Sequence, residues 1–511
     1  MAMAPLDVWV RLLVRLRRVP GPRYLARIVL GLATSFVGTI VTLPERLLLA
    51  PYLFVRFGRS RPRIEHEPGV LIVTGYYRTG TTHLHYLLSC DPAMTTPKWV
   101  HVAAPQGFAL SWVLIRWLMI PFISNSRPQD DVAFGPEWPS EDDFALNNWC
   151  LASSLPGRFI VPGEHAFYER FHDLNRLSNR ELAHWRRAQA AFCWKLMALR
   201  PGKRLLLKTP SHTARLGELE AMFGRNLRVI HISREPGAVV KSNVRMAERL
   251  EPYSLEPMPS PEVVRERVME EFVRTEMRYV ESAARLGASR VCEIRFEDLI
   301  ADPLGQLKSA YAQLGYDWTS EAERGFRRYL GAVRDYKPRH GAAADVEALE
   351  PALQQLATRF GHDKPAVEPV VMEHEPRRDR TALAIVATIV AAFALALLWV
   401  GIASVFRDRN ELFIWVFGIV LGLVAIRTAG RGSTTLGLVS AACLGLIILP
   451  SIYPVTLAAY SHRWPADEAA AGAMQSTLRV FKRWGDLIYV VFGLVSAYRV
   501  GSRLHVRPPG S

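Results

Sequence analysis

The sequence predicts an α/β domain built on a P-loop-like parallel sheet with flanking helices, joined to a C-terminal α-helical transmembrane region. Three observations carry this expectation. GVLIVTG at 69–75 is a β-branched apolar run, fit for a buried parallel strand, that ends in a glycine loop. Two further short apolar runs, RLLLK at 204–208 and NLRVIHIS at 226–233, each deliver a basic residue (Lys208, Arg234) just ahead of a helix signal. Far downstream, Thr381–Phe406 is an uncharged run of 26 residues, enough to span a bilayer.

The glycine loop comes first in the chain. Residues 74–86 read TGYYRTGTTHLHY, and Gly75-x4-Gly80 followed by Thr81-Thr82 has the spacing of a phosphate-cradling loop. HLHYLLSC then reads as a short helix ended by Asp91-Pro92. Strand, turn and helix start in this order aim backbone N–H groups and the positive helix end at an anion. The plain alternative is an ordinary glycine turn. Thr81 stands where a nucleotide triphosphatase carries its lysine, and the 226–233 run ends in Ser233-Arg234 rather than in a metal-binding acid. The pattern argues against magnesium-dependent triphosphate hydrolysis. It suits a nucleotide bearing several phosphate groups, held by arginine and hydroxyl donors.

The second half of the site follows from the other two runs. After RLLLK comes Thr209-Pro210-Ser211-His212, and then TARLGELEAMFG, which puts Leu216, Leu219, Met222 and Phe223 on one helical face and closes at Gly224. Ser211 or Thr213 is expected to cap that helix. Lys208 and His212 thus sit between a strand end and a helix start, the edge where open α/β sheets bind ligands. Past the next strand, Pro236 starts a helix and Ser242 lies about two turns along it.

The net charge of +15 is confined to the flanks. Residues 1–63 hold eleven Arg, no Lys and two acids, and residues 376–511 carry +8, which leaves −2 for residues 64–375. A near-neutral centre between basic, apolar ends points to membrane lipids as partners and not to nucleic acid. Residues 1–60 read as a basic, apolar membrane-associating segment that lies in the interface, with Ile28–Pro44 the alternative first span. Residues 61–365 form the soluble α/β domain, 366–380 a proline- and charge-rich linker, and 381–505 the transmembrane helical region. Within that region Thr434–Ser461 is a second long uncharged run, Leu412–Ile426 a return limb, and Leu487–Tyr498 a short interfacial stretch. Positive charge falls in RDRNE, RTAGRGS and the 462–486 loop alike, so the arginines leave orientation divided. Five scattered cysteines without a CxxC exclude a disulfide framework and a zinc site, and fit a reducing compartment.

On these residues the chain resembles the PAPS-dependent sulfotransferases, in their bacterial membrane-associated branch, over about residues 60–345. YRTGTTHLHYLL (77–88) resembles the family loop that holds the 5′-phosphosulfate, which implies a donor site at Arg78, Thr79, Gly80, Thr81 and Thr82. HISREPGAVVKSN (231–243) resembles the segment gripping the 3′-phosphate, with Arg234 and Ser242 in the gripping positions. LLLKTPSH resembles the strand with a catalytic lysine, here Lys208. RPQDDVAFGPEWPSEDDFAL (127–146) and RFEDLIADPLGQL (295–307) resemble further stretches of the branch.

The resemblance implies transfer of a sulfuryl group from PAPS to a hydroxyl or amine acceptor, with no metal, and a catalytic domain facing the cytoplasm, where PAPS is made. Charge building on the bridging oxygen would be met by loop N–H groups, Arg78 and Lys208. The general base is the open position. Many cytosolic members carry a His two residues past the Lys, where this chain has Pro210, so His212 is the leading candidate. Related bacterial chains often carry Glu where Val100 stands here, and His101, His83 and Glu141 are the other candidates. QGFALSWVLIRWLMIPFI (106–123) is apolar and aromatic around Arg116, either a buried helix or a surface dipping into lipid, and it motivates a lipid or other hydrophobic acceptor over a soluble small molecule. The rival readings are a P-loop nucleotide kinase or NTPase, and a nucleotide-binding membrane protein without catalysis.

Overall fold

The structure, a computed structural model, describes residues 1, 3–16, 21–57, 68–120, 123, 126–127, 129–130, 132–334, 351–365, 367–368, 380–407, 410–430, 432–462, 464–480 and 484–502. Of the expected linker 366–380, residues 366 and 369–379 lie outside the described residues. Among the described residues there are five strands, β1 (Val70–Thr74), β2 (Met94–Thr95), β3 (Arg204–Lys208), β4 (Leu227–Ser233) and β5 (Val291–Arg295). They form one parallel sheet in the order β2-β3-β1-β4-β5.

Register explains where a site can form. Val73 of β1 is level with Lys208 of β3, and Thr74 is level with His231 of β4. The central strand and both its neighbours therefore release their chains at one edge, delivering Gly75, Thr209 and Arg234 together. Side chains alternate between faces as the pleat requires. Val70, Ile72, Leu205, Leu207 and Val229 enter one core cluster, and Leu71, Val73, Leu206, Ile230 and Ile232 enter another on the opposite face. Burial on both faces is why these strands read as continuous apolar runs.

The expected helices follow each strand. Thr81–Leu88 follows the glycine loop, Leu216–Phe223 buries the four residues of its apolar stripe, and Pro236–Leu250 starts at its proline. The expected cap at Ser211 or Thr213 is not formed. The cap position is Arg215, without a side-chain cap, because the Thr213 hydroxyl accepts the Gly75 N–H (2.8 Å) and Ser211 pairs with His172 (3.1 Å). Both are taken up in tying the loop edge together.

The C-terminal region is helical. Thr381–Phe406, Leu412–Ala429 and Thr434–Tyr460 are long and apolar enough to cross a membrane, as is Tyr24–Val55 near the N-terminus. These helices mark the chain as membrane-associated. Thr434–Tyr460 changes pitch at Leu444–Ile448 and is interrupted around Pro450. The stretch 487–498, expected to be short, is part of an 18-residue helix, Trp484–Gly501. Gly418 lies against the Gly493 backbone and Gly422 against Val500, so small residues bring this helix into close contact with Leu412–Ala429.

Candidate active site

The loop after β1 is shaped by its backbone. Gly75 and Gly80 have φ of +137° and +101°, and a Cβ would collide with the Ile232 carbonyl oxygen at the first and the Phe296 ring at the second. Arg78 is left-handed as well, at φ +73°. Neighbouring elements hold these turns in place. Asn243 Nδ2 donates to the Tyr77 carbonyl (2.9 Å), Arg234 Nη1 to the Arg78 carbonyl (3.2 Å), and the Tyr76 N–H to Glu276 Oε1 (3.2 Å). Thr79 is turned inward, its hydroxyl donating to the Tyr76 carbonyl at 2.8 Å. Helix geometry leaves the first amides of Thr81–Leu88 without carbonyl partners inside the helix.

Cations converge at this helix start. The Thr82 hydroxyl accepts from Lys208 Nζ and from Arg127 Nη1, each at 3.3 Å. Arg78 donates from Nε to Ser242 Oγ (3.0 Å) and from Nη1 to Asp130 Oδ2 (2.7 Å), and Arg127 forms an ion pair with the same carboxylate. Arg78 thereby links the loop to the expected 3′-phosphate segment through Ser242. Arg234 packs its guanidinium 4.6 Å from the centre of the Phe296 ring, and burial lowers its pKa. Burial alone would raise the Asp130 carboxyl, but Arg127 and Arg78 outweigh it and hold the group well below the usual carboxylate range. Arg127 was not among the expected site residues. Its only signal was its place at the head of RPQDDVAFGPEWPSEDDFAL, three residues before two acids.

Lys208 is 2 % exposed at its side chain, and its Nζ lies 2.5 Å from Glu141 Oε1, which is 14 % exposed. Burial lowers the Lys208 pKa, and Glu141 offsets this in part. The two acids after Glu141 grip the segment after Lys208. Asp142 accepts from Thr209 Oγ1 (2.8 Å), His212 Nε2 (2.7 Å) and Gln189 Nε2 (2.6 Å). Asp143 accepts from Arg215 Nη1 (2.8 Å) and Ser153 Oγ (2.5 Å). Burial pushes the Asp142 carboxyl up, yet the His212 charge and hydrogen bond, with Gln189 and Thr209, bring it far below the ordinary value.

The four candidate bases are therefore separated. His212 is fully buried and bound to Asp142, on the far side of Thr209 from Lys208 in the chain. His83 meets the Tyr329 hydroxyl (3.3 Å) on another helix, and burial lowers its pKa to about 4. His101 accepts the Lys98 N–H (3.2 Å) and stacks on Phe108, with ring centres 4.7 Å apart. Of the four, Glu141 is the one that touches Lys208 among the described residues. One cluster there has metal-capable groups, His165, Glu169 and Glu271, and its acids are already ion-paired with Arg274 and Arg158.

Comparison with known proteins gives matches over this part of the chain. Residues 68–320 match the model of the sulfotransferase family. Omega-hydroxy-beta-dihydromenaquinone-9 sulfotransferase Stf3 of Mycobacterium bovis is 29 % identical over 372 residues, spanning 71 % of this chain and 91 % of that protein, and the protein of that name from Mycobacterium tuberculosis matches equally. Among solved structures, sulfotransferase STF9 from Mycobacterium avium aligns with 71 % of this chain and 97 % of its own, at 17 % identity and a TM-score of 0.46. Sulfotransferase STF1 from Mycobacterium tuberculosis aligns with 70 % and 98 %, at 18 % identity and a TM-score of 0.44.

Proposed function

Because the chain belongs to the sulfotransferase family, we propose that it moves a sulfuryl group from PAPS to the hydroxyl of a hydrophobic acceptor held in the membrane. The observation that carries this reading is Lys208, set between the Thr82 hydroxyl of the phosphate loop and the Glu141 carboxylate. Arg78, Gly80, Thr81, Thr82 and Arg127 receive the 5′-phosphosulfate, Thr79 braces the loop from inside through the Tyr76 carbonyl, and Arg234 with Ser242 orients the nucleotide through its 3′-phosphate. Glu141 takes the proton of the acceptor hydroxyl as its oxygen bonds to sulfur. The bond from sulfur to the bridging oxygen breaks, and its electron pair leaves on adenosine 3′,5′-bisphosphate beside Lys208. His212 acts as a positioning residue, holding Asp142 and through it the helix start that carries Glu141.

The relatives are named for an omega-hydroxylated dihydromenaquinone, and this supports an acceptor here with a hydroxyl on a long apolar body. An amine in the same place would need a similar base. The donor is made in the cytoplasm, so the catalytic domain faces that side. A kinase reading has less support, because Thr81 replaces the loop lysine and Arg234 follows β4 where a metal-binding acid would stand.

The full chain in nanodiscs, given labelled PAPS and whole-cell lipid extract, should form a labelled lipid. Lys208→Ala should abolish it, and EDTA should leave it intact. Labelling that persists without Lys208, or that vanishes with chelation, would overturn the assignment. Protease added outside sealed cells should spare residues 68–334, and cleavage there would reverse the orientation.

A further inference from the structure

The Pro22–Phe57 helix has the length and hydropathy of a membrane span, but its contacts run against a crossing. Its inward residues recur every three or four positions from Tyr24 through Ile28, Gly31, Ser35, Gly38 and Thr42 to Glu45, and Leu53 continues the same stripe two turns on. The helix touches the catalytic domain near both ends and at Thr42 and Glu45, and between these it packs on residues 3–9, with Gly31 against the Trp9 ring and Ser35 Oγ donating to the Ala4 carbonyl. Arg27 Nη1 donates to the Ser254 carbonyl (2.6 Å), and the Tyr52 ring lies 5.1 Å from that of Trp194. Ile28 and Leu53 share a core cluster with Ile72 of β1 and Leu207 of β3. At about 1.5 Å per residue, the line from Arg27 to Tyr52 covers roughly 38 Å. The hydrocarbon core of a bilayer is about 30 Å thick. A helix crossing on this line would pull the charged catalytic domain into hydrocarbon with it.

The opposite face is apolar and open. Phe36 is 57 % exposed, Leu47 68 % and Phe54 77 %. Glu45 joins this helix to the next surface, accepting the N–H groups of Ala109, Leu110 and Ser111 at 2.7–2.9 Å just ahead of the Trp112–Met119 helix. There Leu110 and Leu114 are exposed, while Trp117 and Ile120 pack on Trp415, Ile419 and Val500 of the C-terminal helices. The apolar surface is thus continuous with the membrane-spanning bundle. It also reaches the site, since Arg116 pairs with Glu137 (2.7 Å), four residues before Glu141.

We propose that Pro22–Phe57 lies flat in one leaflet and, with Trp112–Met119, forms a platform seated on lipid, from which the acceptor reaches Glu141 without leaving the leaflet. The occupant of the surface is the bilayer. The acceptor clause rests on the sulfotransferase reading, and the platform does not.

Nitroxides placed singly at Leu30, Phe36, Leu47 and Phe54 of the full chain, in nanodiscs of phosphatidylethanolamine and phosphatidylglycerol, test the geometry. A flat helix gives all four preferential collision with oxygen over a water-soluble nickel complex, at similar depths. It also leaves an N-terminal tag on the same side of sealed vesicles as the catalytic domain. A tag on the opposite side, a depth profile with one maximum, or preference for nickel would overturn the platform. The acceptor clause is tested with Leu47→Glu plus Leu114→Glu. Turnover of a long-chain prenyl alcohol in vesicles should fall at least tenfold, while turnover of a short soluble primary alcohol is kept. Equal loss on both alcohols would overturn the clause. No turnover of either by the unaltered chain would count against the sulfotransferase reading and the clause together, with the platform still decided by the nitroxides.

Discussion

Glu141 Oε1 lies 2.5 Å from Lys208 Nζ, and the two acids that follow Glu141 bind the residues that follow Lys208. One end of the Asp142–Cys150 helix is thereby fastened to the end of β3 at consecutive positions. The inner pairs are wholly buried, whereas Glu141 keeps some exposure. Buried charges held on both sides are costly to disturb, so the fixed part of the clamp sets the position of Glu141. A carboxylate and an ammonium in this arrangement can serve opposite ends of one transfer, the carboxylate at the entering oxygen and the ammonium at the leaving one.

Replacing Glu141 separates chemistry from binding. Glu141→Gln should lower kcat by about 10²–10⁴-fold, the usual range for loss of a general base. Affinity for adenosine 3′,5′-bisphosphate, measured by calorimetry, should change little. His212→Asn should instead lower the melting temperature. If the His212 variant folds and binds nucleotide but is dead, while Glu141→Gln is active, the base has been misassigned.

Arg127→Ala should weaken binding of PAPS more than that of adenosine 3′,5′-bisphosphate, by about 1.5–3 kcal/mol, as expected for a charge-assisted contact. Asp130→Asn should tighten PAPS binding, because Arg78 and Arg127 would no longer give up an anionic partner to receive it. Arg234→Ala with Ser242→Ala should erase the preference for the 3′,5′-bisphosphate over AMP. A retained preference would move the 3′-phosphate elsewhere.

Gly80→Ala should cost about 1–3 kcal/mol, the price of a side chain at a positive φ, and more for the collision with Phe296. Denaturant unfolding and nucleotide titration should both register it. An unchanged midpoint would mean that the loop relaxes without loss.

Acid should destabilise the catalytic domain below about pH 6.5. His85 and His172 are fully buried, and burial, with nearby cations, holds both well below their ordinary value. Below pH 6.5 the unfolded chain binds protons that the folded chain refuses, so stability is present above that pH and is lost as pH falls. The slope is about 1.4 kcal/mol per pH unit for each such group until its folded pKa is reached. His85→Gln, which can keep the hydrogen bond to Thr96, should flatten the fall in melting temperature between pH 7 and 5. An identical fall in the variant would exclude His85 as a contributor.

Much of the fold was legible because it is encoded locally. β1, β3 and β4 are runs of Val, Leu and Ile buried on both faces, and a helix follows each of them shortly after. The short β2 and β5 were not legible, since VCEIR carries an exposed Glu293 and two-residue MT has no period at all. The glycine loop could be read from spacing, because only glycine tolerates the backbone at 75 and 80.

By itself the sequence determined the three central strands, where the loop turns, which runs are apolar enough for lipid, and which cations stand at strand ends. Each of these depends on residues within a few positions of one another. Tertiary structure alone decided that Glu141 meets Lys208 across 67 positions, that Arg127 reaches Thr82 across 45, and that His212 is turned inward onto Asp142. It also decided that an apolar helix of span length is tied near both of its ends to the catalytic domain. Pairings of that kind depend on how strands and helices stack, and the order of residues along a chain does not state which of its distant charges will share a low-dielectric site.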